Sequence, residues 1–382
     1  MTLSTPDYYC NLLPLRINVQ TCRTFVRINP YLYILVTNSY GMNTNVKDKI
    51  LNLLRDRGSE GILQREISKI LRCSRSTISE ILTEMLKSGK IVRKSIGGKI
   101  YRIWLLDYAP FPVKKLIRIG ILRATEYPHV LLTVKDLKKA NVNIKLKIFD
   151  NALEATNALA VGYLDIAYTP LITQVLYALL LRSIKIFAGC GFNGSGLVVK
   201  NENFLELVYG CSELSTMEMN LKLFLKTRNI DPSQVEIRYF NNPERMVESF
   251  TNDEISALSI WEPYLSLFRG KFKVYNFENT FGKFPCCTLA ANTRFIKTNQ
   301  DLFKKFLKKY CENTDELLRR KDEAIKLTAE ILGFPYTLVN LSFGRFLYDY
   351  RLNQDDIVET LKKFGMFLTK QSLSEIFELS VN

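Results

Sequence analysis

Histidine is almost missing from this chain: His129 is the only one in 382 residues. With a single imidazole, and no acid spaced to partner Ser195 or Ser215, a nucleophilic triad is not expected. The chain therefore reads as a non-enzyme with no catalytic residue, and a lone histidine is more often structural than catalytic. Cysteine occurs eight times, but no pair has the C-x-x-C spacing of a zinc or redox site. Cys286 and Cys287 are adjacent, and neighbours in a strand point to opposite faces. Neither a metal site nor a cofactor is expected, and the thiols read as those of a reduced protein. Long apolar runs are also lacking. The run Tyr31–Val36 falls far short of the roughly 20 residues a membrane span needs. The first residues show no basic start followed by an apolar stretch and a small-residue cleavage site. A cytoplasmic location with no membrane partner is the expectation. Internal repeats and low-complexity tracts are absent.

What the chain has in excess is positive charge. Its 53 Lys and Arg against 38 Asp and Glu give a net charge of +15, which points to a polyanionic partner. Residues 44–108 hold 14 Lys and Arg against 7 Asp and Glu, so nearly half of the excess sits in about a sixth of the chain. A length of 382 residues suggests two to three domains.

Residues 1–43 show no sustained period. They are expected to be a poorly ordered or over-annotated arm, with the true start at Met42. From Val46 the pattern is helical, with Val46, Ile50, Leu53 and Leu54 on one face and Gly58 as the stop. Ile62, Ile67, Ile70 and Leu71 mark a second helix. A third is capped by Ser74 or Ser76, buries Ile78, Ile81, Leu82 and Met85, and stops at Gly89. Gly97-Gly98 between two alternating runs predicts a hairpin. The order over 44–108 resembles a MarR-like winged helix-turn-helix. That resemblance implies contacts to double-stranded DNA from Arg75, Ser76, Thr77 and Ser79 on the third helix and from Arg93, Lys94, Lys99 and Arg102 on the wing.

A short proline-bearing joint, Asp107 to Pro112, marks a boundary. Beyond it strands and helices alternate to about Thr288, which implies an α/β sheet with crossover helices. From Gln300 the chain is largely helical, broken at Gly333-Phe334-Pro335. Five landmarks fall in order: Ile117–Ile121, Ala158–Ala167, Gly194–Val199, Ser215–Glu218, and Asp253–Ala257 with Trp261–Tyr264. Together they resemble the periplasmic-binding-protein type II fold, within it the nitrate/sulfonate/taurine and thiamine-pyrimidine group. The fold class expected is an α+β winged helix-turn-helix followed by a two-lobed α/β periplasmic-binding-protein type II-like domain over 113–382.

In such a fold the ligand sits outside the carboxyl ends of parallel strands. Arg123, Tyr127, His129, Asn151, Thr169, Phe192, Asn193, Ser195, Ser215, Thr216, Trp261 and Glu262 are the candidates. Asp165 is expected to brace its turn. Only about 20 residues separate Leu122 from Ile144, a shorter first loop than exported relatives have. The combined expectation is a ligand-responsive transcription regulator, a homodimer whose small-molecule effector is a sulfonate- or nitrate-like anion or a thiamine-pyrimidine-like heterocycle. The alternatives are a pyrimidine-precursor synthase-like enzyme and a solute-binding protein for a transporter.

Overall fold

Residues 45–379 are described by the computed structural model; the expected arm and the start at Met42 lie outside them. The first part is built from α1 (Val46–Arg57), β1 (Ile62–Leu63), α2 (Gln64–Leu71), α3 (Arg75–Lys87), β2 (Ile91–Gly97) and β3 (Ile100–Leu105). Ile50 and Leu54 are fully buried, and Gly58 follows α1 at φ +48. Ser74 caps α3 by accepting from the Thr77 N–H at 3.1 Å. Ile67, Ile78, Leu82 and Met85 close one core with them. The three strands form an antiparallel sheet in the order β1-β3-β2. Two expected positions differ. Ile62 belongs to β1, paired with Ile103, and Ile70 is 47% exposed. α2 spans only about two turns and turns one face to the core: Ile67 is fully buried, Leu71 packs beside it, and Ile70 falls outside.

The larger part has two lobes. Lobe 1 begins with β4 (Leu116–Leu122), α4 (Pro128–Lys139), β5 (Asn143–Phe149), α5 (Ala152–Ala160), β6 (Ile166–Pro170), α6 (Leu171–Leu181) and β7 (Ile184–Asn193). Lobe 2 follows with β8 (Ser195–Val199), β9 (Val208–Cys211), α7 (Thr216–Thr227), β10 (Glu236–Tyr239), α8 (Pro243–Thr251), β11 (Ala257–Trp261), β12 (Lys273–Asn276) and α9 (Phe277–Phe281). The chain then returns to lobe 1 through β13 (Pro285–Asn292), α10 (Thr293–Thr298), α11 (Gln300–Asp315), α12 (Lys321–Leu332), α13 (Tyr336–Phe343), β14 (Phe346–Tyr348), α14 (Gln354–Lys363) and α15 (Lys370–Ile376).

The lobe 1 sheet runs β14-β7-β13-β6-β4-β5 and the lobe 2 sheet β10-β9-β11-β8-β12. In lobe 1, β4 is parallel to both β5 and β6, and all seven of its residues are buried, as a strand covered on both faces should be. The strand β14 was not visible in sequence. Its three residues, Phe-Leu-Tyr, are too few for an alternation to register, yet they pair with β7 next to the lobe crossing.

One charged residue sits in the middle of β4. Arg118 is only 3% exposed. Its Nε and Nη2 donate to the two oxygens of buried Asp165 at 2.9 and 2.8 Å, and its backbone N–H donates to the same carboxylate. The rest of the guanidinium donates to the carbonyls of Ala109, Phe111 and Gly162. Asp165 thus braces the turn before β6, while Arg118 ties the 107–112 joint to the lobe 1 sheet. Trp104 of β3 packs edge-on against Phe111 from the other side.

Removing one partner of a buried pair leaves an unpaired charge in the core, at a cost of about 3–5 kcal/mol. Asp165→Asn should lower unfolding stability by that amount. Arg118→Met combined with Asp165→Leu should cost less than the two single changes added together. Strict additivity in denaturant melts would show that the two side chains act separately.

Candidate ligand cleft

The chain crosses between the lobes twice, at Asn193-Gly194 and at 282–284. The crossings are bonded to each other: Asn193 N–H donates to the Phe284 carbonyl at 3.1 Å, and Phe284 N–H donates to Asn193 Oδ1 at 3.3 Å. Asn193 and Gly194 both have positive φ, +67 and +73. A Cβ on Gly194 would come 2.1 Å from the ring of Phe346 on β14, so only glycine fits this close approach.

Beside the hinge lies a cleft. Lobe 1 lines it with Leu122, Ala124, Glu126, Tyr127, Asp150 and Ala152, then Pro170, Cys286 and Cys287. Lobe 2 supplies Ser212, Ser215, Thr216, Met217 and Trp261. Leu122, Asp150 and Pro170 stand at or just past the carboxyl ends of β4, β5 and β6, where an open parallel sheet leaves a crevice. The two walls are in contact. Trp261 Nε1 donates to the Arg123 carbonyl at 3.1 Å, Thr125 N–H to the Glu262 carbonyl at 3.3 Å, and Thr216 Oγ1 to the Cys286 carbonyl at 3.2 Å. The cavity left between them is about 30 Å³, room for about one water. The lobes are closed.

Acids dominate the charge in this cleft. Burial pushes the Glu126 carboxyl up to about 7, against hydrogen bonding that includes the Cys287 N–H at 3.0 Å. Asp150 bonds Arg123 Nε at 2.7 Å and holds that guanidinium charged; Glu244 lies 3.7 Å from the same nitrogen. The Cys286 thiol receives a lowering hydrogen bond from Cys287, yet burial carries it up to about 11; burial raises Cys287 further. The α7 N-terminus opens here, but it is already served by an acid. Glu218 in its first turn accepts from Leu214 N–H and pairs with Lys222.

Of the twelve ligand-site residues expected from sequence, four line the cleft: Tyr127, Ser215, Thr216 and Trp261. Arg123 stands at its edge, bound to Asp150. Asn151 caps α5 and reaches Asn241 across the seam. Ser195 is buried with its Oγ unpartnered in this structure. The others make contacts within the protein. Thr169 bonds Thr156 and Gln174 beneath the cleft. Phe192 lies under the Lys283 ammonium, and Asn193 forms the hinge. Glu262, fully buried, accepts from Ser266 N–H and Arg269.

His129 belongs to the core. It lies under Tyr310 and Tyr348, with Nε2 3.2 Å from the Tyr310 hydroxyl and 3.5 Å from Cys190 Sγ. Tyr310 donates its own proton to the Gly189 carbonyl, so Nε2 carries the imidazole proton and Nδ1 is the bare, unpartnered nitrogen.

Sequence reasoning missed Glu126, Cys286 and Cys287. Their ligand atoms lie within 4.8 Å of one another, the one such group among the described residues. The opposite-faces argument fails because β13 is bulged at this point: its register against β7 shifts on both sides of Cys287, and a bulge breaks the two-residue alternation.

Residues 112–333 match the NMT1-like family. The chain belongs to that family. No curated protein matches it. Among solved structures, the ligand-binding component of an ABC-type import system from Staphylococcus aureus, solved with zinc bound, is 20% identical. It covers 70% of this chain and 97% of its own, with a TM-score of 0.63. The alkanesulfonate-binding protein SsuA of Xanthomonas axonopodis, bound to MOPS, is 14% identical, covers 70% and 99%, and has a TM-score of 0.59. The periplasmic nitrate-binding protein NrtA of Synechocystis is 12% identical, covers 70% and 87%, and has a TM-score of 0.58. At these identities the likeness establishes the two-lobed fold.

These relatives correct several expectations together. The first is a ligand-binding component of an import system and the third a periplasmic binding protein, which overturns a transcription regulator, double-stranded DNA as partner without a membrane, and a cytoplasmic location. The residues that carried the DNA expectation are placed as follows. Ser76 and Thr77 bond the Ser74 cap, Arg102 donates to the Glu60 carbonyl, and Lys94 lies over Phe111. Ser79 is exposed on α3. Arg75, Arg93 and Lys99 line a basic hollow with Arg65.

In this NMT1-like chain the burial of His129 holds its pKa down to about 3. Because the folded value lies below the unfolded one near 6.5, the unfolded state takes up the extra proton as pH falls. Stability contributed by the neutral ring is full above pH 6.5 and drains below it, by about 2 kcal/mol at pH 5. The sole imidazole should give one NMR signal that does not titrate between pH 8 and 5. A titration near 6.5 would place His129 in contact with solvent.

Proposed function

We propose that this NMT1-like chain is a non-enzymatic solute-binding protein, capturing a small molecule between its lobes and presenting it to a membrane import partner outside the cytoplasm. The observation that carries this reading is the hinged, closed cleft at the carboxyl ends of β4, β5 and β6. Its likeness to import-system components supports the partner and the location.

The chemistry of the walls favours a neutral or cationic flat heterocycle. Tyr127 and Trp261 supply aromatic surface. Glu126, titrating near neutrality, can give a hydrogen bond to a ring nitrogen or take one from an amino group. A sulfonate or nitrate would instead meet Glu126 and Asp150, with Arg123 already engaged. Residues 44–108 form the accompanying module, in our reading a winged-helix-like unit from its order of three helices and a two-strand ribbon. Residues 113–382 form the binding body.

The chain has two tryptophans, so Trp104→Phe leaves Trp261 as the only indole reporter. Titrating aminopyrimidines, sulfonates and nitrate into that variant should change the emission for the heterocycles alone. At a concentration 100-fold above Kd the hit should stabilise the protein by about 2.7 kcal/mol. Trp261→Phe should weaken that ligand about tenfold. A response confined to sulfonate or nitrate would reverse the ligand class, and silence from every compound with unchanged melting would remove the cleft as a solute site.

A further inference from the structure

The floor of the cleft carries a second chemistry. Two thiols and a carboxylate, on β13 and in the loop before α4, bring Cys286 Sγ, Cys287 Sγ and a Glu126 oxygen within 4.8 Å of one another. We propose that these three residues form a binding site for a thiophilic divalent cation of the zinc class, with its fourth coordination position facing the cleft. The inference rests on the cleft being the binding seam, since all three residues line the cavity.

Donor type and placement both support it. Two sulfurs and one oxygen suit zinc, cadmium or cobalt(II) and are poor for magnesium or calcium. Three protein ligands with an open position make an exchangeable site, whereas a closed structural site uses four. The scaffold is shaped to hold this set. Glu126 is fixed by the Cys287 N–H at 3.0 Å, and Tyr127 Oη lies 3.3 Å from Cys287 Sγ. Gly191 on β7 leaves the room that the carboxylate occupies: a Cβ there would come 2.4 Å from Glu126 Cγ and 2.5 Å from Oε1. The bulge in β13 turns two adjacent thiols toward one point, which a regular strand cannot do. Cys190 lies behind the trio, bonded to the Glu126 carbonyl. Binding is a ligand exchange: each thiol loses its proton to solvent, two sulfur–metal bonds and one oxygen–metal bond form, and the cation sheds water.

The full-length protein, stripped by chelation, is titrated with cobalt(II) and separately loaded with one equivalent of zinc. A thiolate-to-cobalt charge-transfer band saturating at one ion per chain is expected. X-ray absorption of the zinc form should show two sulfurs at about 2.3 Å with oxygen or nitrogen completing the shell. Cys287→Ser should weaken the ion at least 100-fold and remove one sulfur from the shell. Gly191→Ala, which displaces Glu126 and leaves both thiols, should weaken it about tenfold while keeping both sulfurs.

A shell without sulfur, a shell of four sulfurs, or binding untouched by Cys287→Ser overturns the site. The absorption measurement on the unmodified chain decides the case even where a variant fails to fold. The Trp261 emission assay separates this from the solute reading. A heterocycle response with no zinc binding removes the cation site and keeps the cleft. A two-sulfur zinc shell with no solute response supports the cation site alone.

Discussion

A single guanidinium joins the parts of this molecule. Arg118 sits in β4, between β6 and the edge strand β5 of lobe 1, with its charge matched by Asp165, and its remaining N–H groups hold the carbonyls of Ala109 and Phe111. An arginine in such a strand is expensive unless every donor is satisfied. Here the need for partners dictates the architecture. Asp165 must lie at the start of β6, the Gly162 carbonyl must turn inward, and the 107–112 joint must lie against the sheet. The first sheet therefore stands on lobe 1 through a polar contact on one side and the Trp104–Phe111 packing on the other, with Lys145 and Asp107 paired at the rim.

From that lobe the chain passes into the other. Lobe 2 is attached at two crossings bonded to each other, where glycine and asparagine take left-handed backbone and Phe346 closes over them. Few residues make up the hinge, and the remaining contacts across the seam are hydrogen bonds, the Arg123–Glu244 pair and the packing of Tyr264 on Phe334. Each hydrogen bond contributes about 1 kcal/mol net, and a ligand that binds one arrangement of the lobes better than the other shifts the balance between them. With a cavity the size of one water, this closed state has no room for a solute until the walls part.

Much of this was legible in the chain. β4 could be read because isoleucine and leucine fill five of its seven positions around Arg118 and Gly120, and the capping serine of α3 because an oxygen is needed at that place. The order of five landmarks located the two lobes and the crossing near Gly194. Ser215, Thr216 and Trp261 line the cleft because they close or open regular elements, where side chains meet the crevice. Thr169, Phe192 and Glu262 lie in the same stretches but face inward, and no periodic signal separates the two faces at a strand end. The convergence of Glu126, Cys286 and Cys287 was hidden for a different reason. It depends on a register shift between β13 and β7, strands about a hundred residues apart, and on a missing Cβ at Gly191. Neither leaves a local trace. β14 escaped notice because three residues cannot display an alternation.

The electrostatics of the cleft narrow what it can hold. A carboxylate buried to the point of titrating near neutrality is a poor neighbour for an anion and a good one for a group that can exchange a proton or bring positive charge. The alkanesulfonate- and nitrate-binding relatives share the two-lobed frame, but a fold does not transmit the charge of its cleft. In this chain the arginine nearest the cleft is held by Asp150, and Glu218 occupies the first turn of α7, so both sources of positive potential are already answered from within. What is left facing the cavity is aromatic surface, two neutral thiols and one acid. That combination selects by hydrogen bonding and by softness, the ground on which we propose a heterocycle and a thiophilic cation, rather than an oxyanion, for the same cleft.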